Sequence, residues 1–272
     1  MMPSSCTGTF LKRPLLSFYF SRLPPTIRDP RNPAAPLRTH ASTHSDDITS
    51  VQFSRSPESS HVLLSASSDG LLCTTDARED DEDEAGLHVG NWGCSIAQSG
   101  WVRGNTNTRG IWAASDMETF SVWTGELDQA QNIDIREPSV HRQDLTWVTD
   151  YLIGGHNRST ILPDHDNDLV VFSGSNEGDI AMLTRPTFSN VNQPWHLHSL
   201  WTMNHIGVVR SCLWDEQNNV LITGGEDAKI NIWSGPSTSS ISADIGSKRE
   251  NISFEMDVDE EVGSPSSKKR RF

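Results

Sequence analysis

The chain has 272 residues, 35% hydrophobic and 21% charged, and carries a formal net charge of −14. That is enough apolar residue for an ordinary buried core, while the acidic balance argues against direct binding to nucleic acid, whose phosphates need a basic surface. No apolar run approaches the ~18 residues of a membrane-crossing helix. The cysteines, Cys6, Cys73, Cys94 and Cys212, contain no C-x-x-C pair and support neither a zinc site nor a disulfide framework.

Residues 1–28 contain no acid but include Lys12, Arg13, Arg22 and Arg28. Such a start is compatible with a mitochondrial presequence. Prolines at 14, 24 and 25 would break a long amphipathic helix there, so the preferred reading is an atypical, disordered N-terminus. From 29 to 236 the pattern changes to short alternating segments separated by turn residues, the signature of antiparallel meanders. Strands are predicted at 44–53, 62–66 and 71–75, then at 95–101, 110–114 and 119–123. A third set falls at 147–155, 169–173 and 179–183, and a fourth at 205–214, 220–225 and 229–233. Polar insertions separate the sets, including the acidic run Glu79 to Glu84 and the stretch from His156 to Asp168. Beyond Pro236, residues 237–272 are rich in Ser, Gly and charge, and disorder is expected.

The fourth set carries His205 before its first strand, Thr223 on the second, Asp227 in the following turn and Trp233 on the third. This arrangement resembles the WD40 family, in which those four residues hold one propeller blade together. The first set matches with His44, Ser65 and Asp69 but has Thr75 in the Trp position. The second keeps Trp123 but has Met117 in the turn, with Asp116 beside it. The third has Glu177 for Asp and Leu183 for Trp. The turn-to-strand-end spacing is six residues in the first, third and fourth sets. Third strands end at 75, 123, 183 and 233, steps longer than the about 40–45 residues of a WD40 unit. The blocks Asp46-Asp47-Ile48, 82–85, 150–155, Val209-Arg210-Ser211 and 221–228 look like the WD repeat-containing protein 89 family over roughly residues 30–236. The resemblance implies an all-β propeller of about seven blades, of which this chain has room for about four. Residues 1–28 are therefore expected to stand in place of lost N-terminal blades, leaving an open ring with exposed sheet edges.

Catalytic signatures are absent: there is no Walker-type loop, G-x-G-x-x-G, G-x-S-x-G or H-E-x-x-H. The carboxylates of Asp164 to Asp168 are spaced as in a calcium loop, but Leu169 and Ser175 occupy the positions that need Gly and Glu. His141, His156, His165, His196 and His198 lack zinc-ligand spacing, and most of the nine Trp residues fall on strands, where core packing is expected. The expected protein is thus not an enzyme and has no cofactor, metal or small-molecule substrate. It is a scaffold or adaptor for other proteins, with no membrane partner. An alternative is a substrate receptor of a cullin–RING ubiquitin ligase, suggested by the D-x-R ending of Asp76 and Arg78, although Thr75 replaces the usual preceding Trp. The acidic run 79–84 reads first as a solvated loop and second as a site for a basic partner. Lys268, Lys269, Arg270 and Arg271 form a basic cluster suited to nuclear import, so a nuclear protein with a cytoplasmic fraction is expected.

Overall fold

The computed structural model describes residues 26–29, 32–105, 109–141, 145–190, 192–234 and 253–254. Its strands follow the alternating segments closely. A hairpin of β1 (Thr26–Asp29) and β2 (Asn32–Thr39) comes first. The first blade contains β3 (Ile48–Phe53), β4 (Val62–Ser67) and β5 (Leu71–Asp76), followed by a single helical turn, α1 (Glu82–Ala85), and β6 (Gly86–Asn91). The second contains β7 (Ile96–Arg103), β8 (Arg109–Ser115), β9 (Thr119–Thr124) and β10 (Gln129–Asp134). A small pair, β11 (Val140–His141) and β12 (Thr146–Trp147), precedes the third blade of β13 (Tyr151–Asn157), β14 (Leu169–Gly174), β15 (Ile180–Thr184) and β16 (His196–Trp201). The fourth blade is β17 (Val209–Asp215), β18 (Val220–Gly225), β19 (Ile230–Ser234) and β20 (Ser253–Phe254). Every blade is a four-stranded antiparallel meander in chain order.

Three strands per blade are predicted from alternating segments in the sequence; the fourth is not, although β16 (HLHSLW) itself alternates. β6 and β10 are largely exposed outer strands with polar or glycine-rich sequences, so the half-buried alternation is weak there. In the last blade the fourth strand is Ser253–Phe254, drawn from the stretch that composition places beyond the propeller. Trp147 does not begin the innermost strand of the third blade, as the segment 147–155 suggests. It lies on the separate strand β12, and β13 begins at Tyr151.

The four turns between second and third strands share one backbone device. Gly70, Glu118, Gly178 and Ala228 all have positive φ, from 58° to 96°. Each sits just after the turn residue Asp69, Met117, Glu177 or Asp227 and reverses the chain tightly.

The core lies between blades. Leu64, Ala66 and Leu72 of the first blade pack on Ile96, Ile111 and Trp123 of the second. Trp112, Phe120 and Val122 of the second pack with Leu169 and Val171 of the third. Val170, Phe172 and Trp201 of the third meet Trp214, Leu221 and Trp233 of the fourth. Removing these faces from water is the main favourable contribution, at about 25 cal/mol per Å² of apolar surface. Trp101, Trp112, Trp123, Trp147, Trp201, Trp214 and Trp233 are all buried. The innermost strands are also joined by polar contacts: Thr49 donates to the Ile96 carbonyl at 2.6 Å and Gln98 to the Ile153 carbonyl at 3.1 Å. The Val209 amide donates to the Tyr151 hydroxyl at 2.7 Å.

On β19 the residues alternate. Asn231 and Trp233 are buried toward the third blade, while Ile230 and Ile232 are exposed on the opposite face together with Leu213 of β17. The last blade therefore presents one packed face and one apolar face open to solvent.

Candidate functional site

In the fourth blade the predicted residues come together. His205 Nε2 lies 2.9 Å from Thr223 Oγ1, and its Nδ1 lies 3.0 Å from Asp227 Oδ1. The Trp233 indole donates to Thr223 Oγ1 at 2.8 Å. One proton arrangement satisfies the chain: indole N–H to hydroxyl oxygen, hydroxyl O–H to Nε2, and Nδ1–H to carboxylate. Asp227 also accepts the amides of Ile206 at 3.1 Å and Lys229 at 3.2 Å. Burial opposes its ionisation, but the His205 and amide hydrogen bonds outweigh that and hold its pKa below the ordinary value.

The first blade has the same geometry without the indole. His44 Nε2 is 2.8 Å from Ser65 Oγ, and Nδ1 is 3.3 Å from Asp69 Oδ2. Burial lowers the pKa of His44 despite the neighbouring carboxylate. Thr75, in the Trp position, is buried.

The other two blades solve the same problem differently. In the second, Ala113 stands where Ser65 and Thr223 stand, and the buried Trp123 donates instead to Ser121 on its own strand at 2.7 Å. Met117 is exposed in the turn. In the third, Trp147 donates to Thr149 at 2.9 Å, and that hydroxyl lies 3.3 Å from Ser173, the second-strand residue equivalent to Thr223. Leu183 is fully buried, and Glu177 is exposed in the turn.

Asp76 and Arg78 are also adjacent in space. Arg78 Nη2 is 2.7 Å from Asp76 Oδ2, and its backbone N–H donates to Oδ1 at 2.9 Å. The Arg78 hydrogen bond is the main reason that the Asp76 pKa falls to about 2. Asp134 and Arg136 repeat this closed D-x-R loop at the end of β10, so the geometry is a local strand-end device in this chain.

The acidic run is more structured than a solvated loop. Asp81 caps α1. The Glu82 carboxylate accepts the amides of Ala41, Ser42 and Thr43 at 2.8 to 2.9 Å and the Thr43 hydroxyl at 2.7 Å. Burial raises its pKa, yet these hydrogen bonds prevail and bring it to about 2. Lys268, Lys269, Arg270 and Arg271 lie outside the described residues.

The Asp164 to Asp168 segment is tied to its surroundings. His165 Nε2 is 3.1 Å from Thr184 Oγ1, and Asn167 donates to the Arg185 carbonyl at 3.0 Å. Asp168 accepts the Arg103 amide and the Asn157 side chain, both at 2.9 Å. Thr184 also bonds His198 Nε2 at 2.8 Å, and burial followed by the Arg158 charge lowers the His198 pKa to about 4. Among the described residues no group of three His, Cys, Asp or Glu side chains could hold a metal ion. Burial pushes the thiols of Cys73 and Cys212 up to about 12, which suppresses the nucleophilic thiolate. No helix among the described residues is long and apolar enough to cross a membrane.

One feature was invisible in the sequence. A cavity of about 810 Å³ opens where β3, β7, β13 and β17 end. Arg55, Arg103, Arg109 and Arg158 reach its wall, with Trp101 and Trp214 among the apolar lining. Arg103 and Arg109 are directly opposite one another in the β7–β8 register. Arg158 sits over the Trp214 ring at 5.4 Å and pairs with Glu216 at 3.4 Å. The available signal was positional: three of the four innermost strands end on or within two residues of an arginine.

No family model matches the chain. Over 211 residues it is 28% identical to WD repeat-containing protein 89 homolog of Dictyostelium discoideum, covering 75% of this chain and 54% of that protein. It is 29% identical over 204 residues to WD repeat-containing protein GTS1 of Arabidopsis thaliana, covering 70% and 48%. A WD repeat-containing protein of Saccharomyces cerevisiae is 32% identical over 135 residues, covering 47% and 31%. The chain thus spans about half the length, or less, of these curated relatives. Among solved structures, a chain in the crystal structure of the mitotic checkpoint complex superposes with a TM-score of 0.51 at 12% identity, covering 77% of this chain and 56% of that one. The repeated meanders, the His205–Thr223–Asp227–Trp233 chain and these relatives together make the protein a WD40-repeat β-propeller chain of four described blades, similar to the WD repeat-containing protein 89 family.

Proposed function

We propose that this protein is a non-catalytic scaffold that binds other proteins, acting in the nucleus with a cytoplasmic fraction. The observation that carries the reading is the surface at the end of the blades opposite the arginine-lined cavity. Met203 is 92% exposed and Ile206 77% exposed on the loop before β17, and Met117 is 72% exposed in the β8–β9 turn. Val148, on the segment before β13, is exposed at the same end. Large apolar side chains on loops at one end of a rigid framework suit a protein partner, and Met adapts well to varied surfaces. The titratable groups that could do chemistry are instead engaged in holding the blades, as His205 and Asp227 are. The ligase-receptor alternative rests on Asp76 and Arg78, which bond to each other.

Cross-linking affinity purification of the tagged full chain, compared with Met203→Asp/Ile206→Asp, tests the role. The expected result is a partner set lost in the variant while its thermal unfolding is unchanged. Recovery of the same set would remove this surface from the reading, and recovery of no partner would end the scaffold role. Co-purified ligase adaptor subunits lost on Arg78→Ala would favour the alternative.

A further inference from the structure

We infer that the cavity at the ends of β3, β7, β13 and β17 binds an acidic peptide segment carrying apolar side chains, an inference that rests on the protein-binding role proposed above. Four guanidinium groups gather there on a chain whose net charge is −14. They come from three different blades and converge only because the innermost strands run side by side. Local acids face Arg103 and Arg158 closely, Arg109 only at long range and Arg55 not at all among the described residues. Asp168 accepts an amide and the Asn157 side chain on Oδ1 and turns Oδ2 towards Arg103 at 3.6 Å. Glu216 serves Arg158 and the Ser159 amide. Glu58 lies 4.0 Å from Arg109.

Two groups remain unmatched. Arg55 is exposed and makes no ion pair among the described residues. Arg158 Nε is buried with no acceptor among the described residues. The apolar part of the wall fits the rest of such a segment: Trp101 and Trp214 are largely buried behind it, and Leu213 is 63% exposed beside it. The volume lies within the ~300–1,000 Å³ typical of ligand sites.

The test uses the full chain and a short fluorescein-labelled peptide of alternating Glu and Leu, with a Gln–Leu peptide of equal length and a single-stranded oligonucleotide as comparators. Anisotropy should show binding of the Glu peptide that weakens as salt rises. Arg55→Glu/Arg109→Glu should weaken it about tenfold or more. Arg136→Glu makes a charge reversal at the opposite end of the second blade and should bind as the parent does. Thermal unfolding of each variant checks that the fold is kept. Equal binding of the Gln peptide, preference for the oligonucleotide, equal loss with Arg136→Glu, or no binding would each overturn the inference. If partner proteins are captured by the parent and equally by Arg55→Glu/Arg109→Glu, the cavity inference fails and the scaffold role stands. If the peptide binds but no partner is ever captured, the scaffold role fails instead.

Discussion

The indole of Trp233 donates to the hydroxyl of Thr223 at 2.8 Å, across the pairing of β18 and β19, and that one oxygen also bonds His205 at 2.9 Å. A single buried hydroxyl thus joins the loop before the fourth blade to its second and third strands. Thr223→Val keeps the shape but strands two buried nitrogens. It should lower unfolding free energy by about 1–3 kcal/mol, measured by urea denaturation. Trp233→Phe should cost less polar energy than Thr223→Val, because it leaves the His205–Thr223 bond in place. A double-mutant cycle between His205→Ala and Trp233→Phe should show coupling, since both act through the same oxygen.

Glu82 makes the fold acid-sensitive. Its folded pKa is depressed to about 2, against an unfolded value of about 4.3. The folded state therefore binds the proton less readily. The stabilisation is fully present above the unfolded pKa and is lost as pH falls through that value towards about 2. Unfolding midpoints measured from neutral to strongly acidic pH should fall along this limb. Glu82→Gln should reduce the slope while lowering stability at neutral pH.

Gly178 couples two blades. Its φ is +96°, and a Cβ there would collide with the backbone oxygen of His205. Gly178→Ala should destabilise by about 1–3 kcal/mol, seen as a lowered melting temperature. Ala228 has a φ of 59° in the equivalent turn, so left-handed backbone by itself is tolerated there. The expected excess cost at position 178 comes from the contact with the fourth blade.

The basic cluster yields a cellular prediction. Replacing Lys268, Lys269, Arg270 and Arg271 with Ala should move a fluorescently tagged full chain from nucleus to cytoplasm. Unchanged nuclear accumulation in quantitative imaging would remove these residues from the proposed localisation.

Alternation along the chain was sufficient by itself to determine the all-β meander and three strands of each blade, while the His205–Trp233 set followed from the resemblance to WD40 repeats. Side-chain period and turn residues are local properties, and a half-buried strand writes them directly into sequence. Tertiary structure alone decided which groups replaced the missing members. In the second blade Ser121 serves Trp123 from the same strand, and in the third Trp147 reaches the framework from a separate short strand through Thr149. A buried N–H requires an acceptor but does not specify which element supplies it. The same holds for Glu82, some forty residues from the amides it accepts, and for Arg55, Arg103, Arg109 and Arg158. Only the register of β7 with β8 and the side-by-side placement of the innermost strands bring those four charges to one cavity.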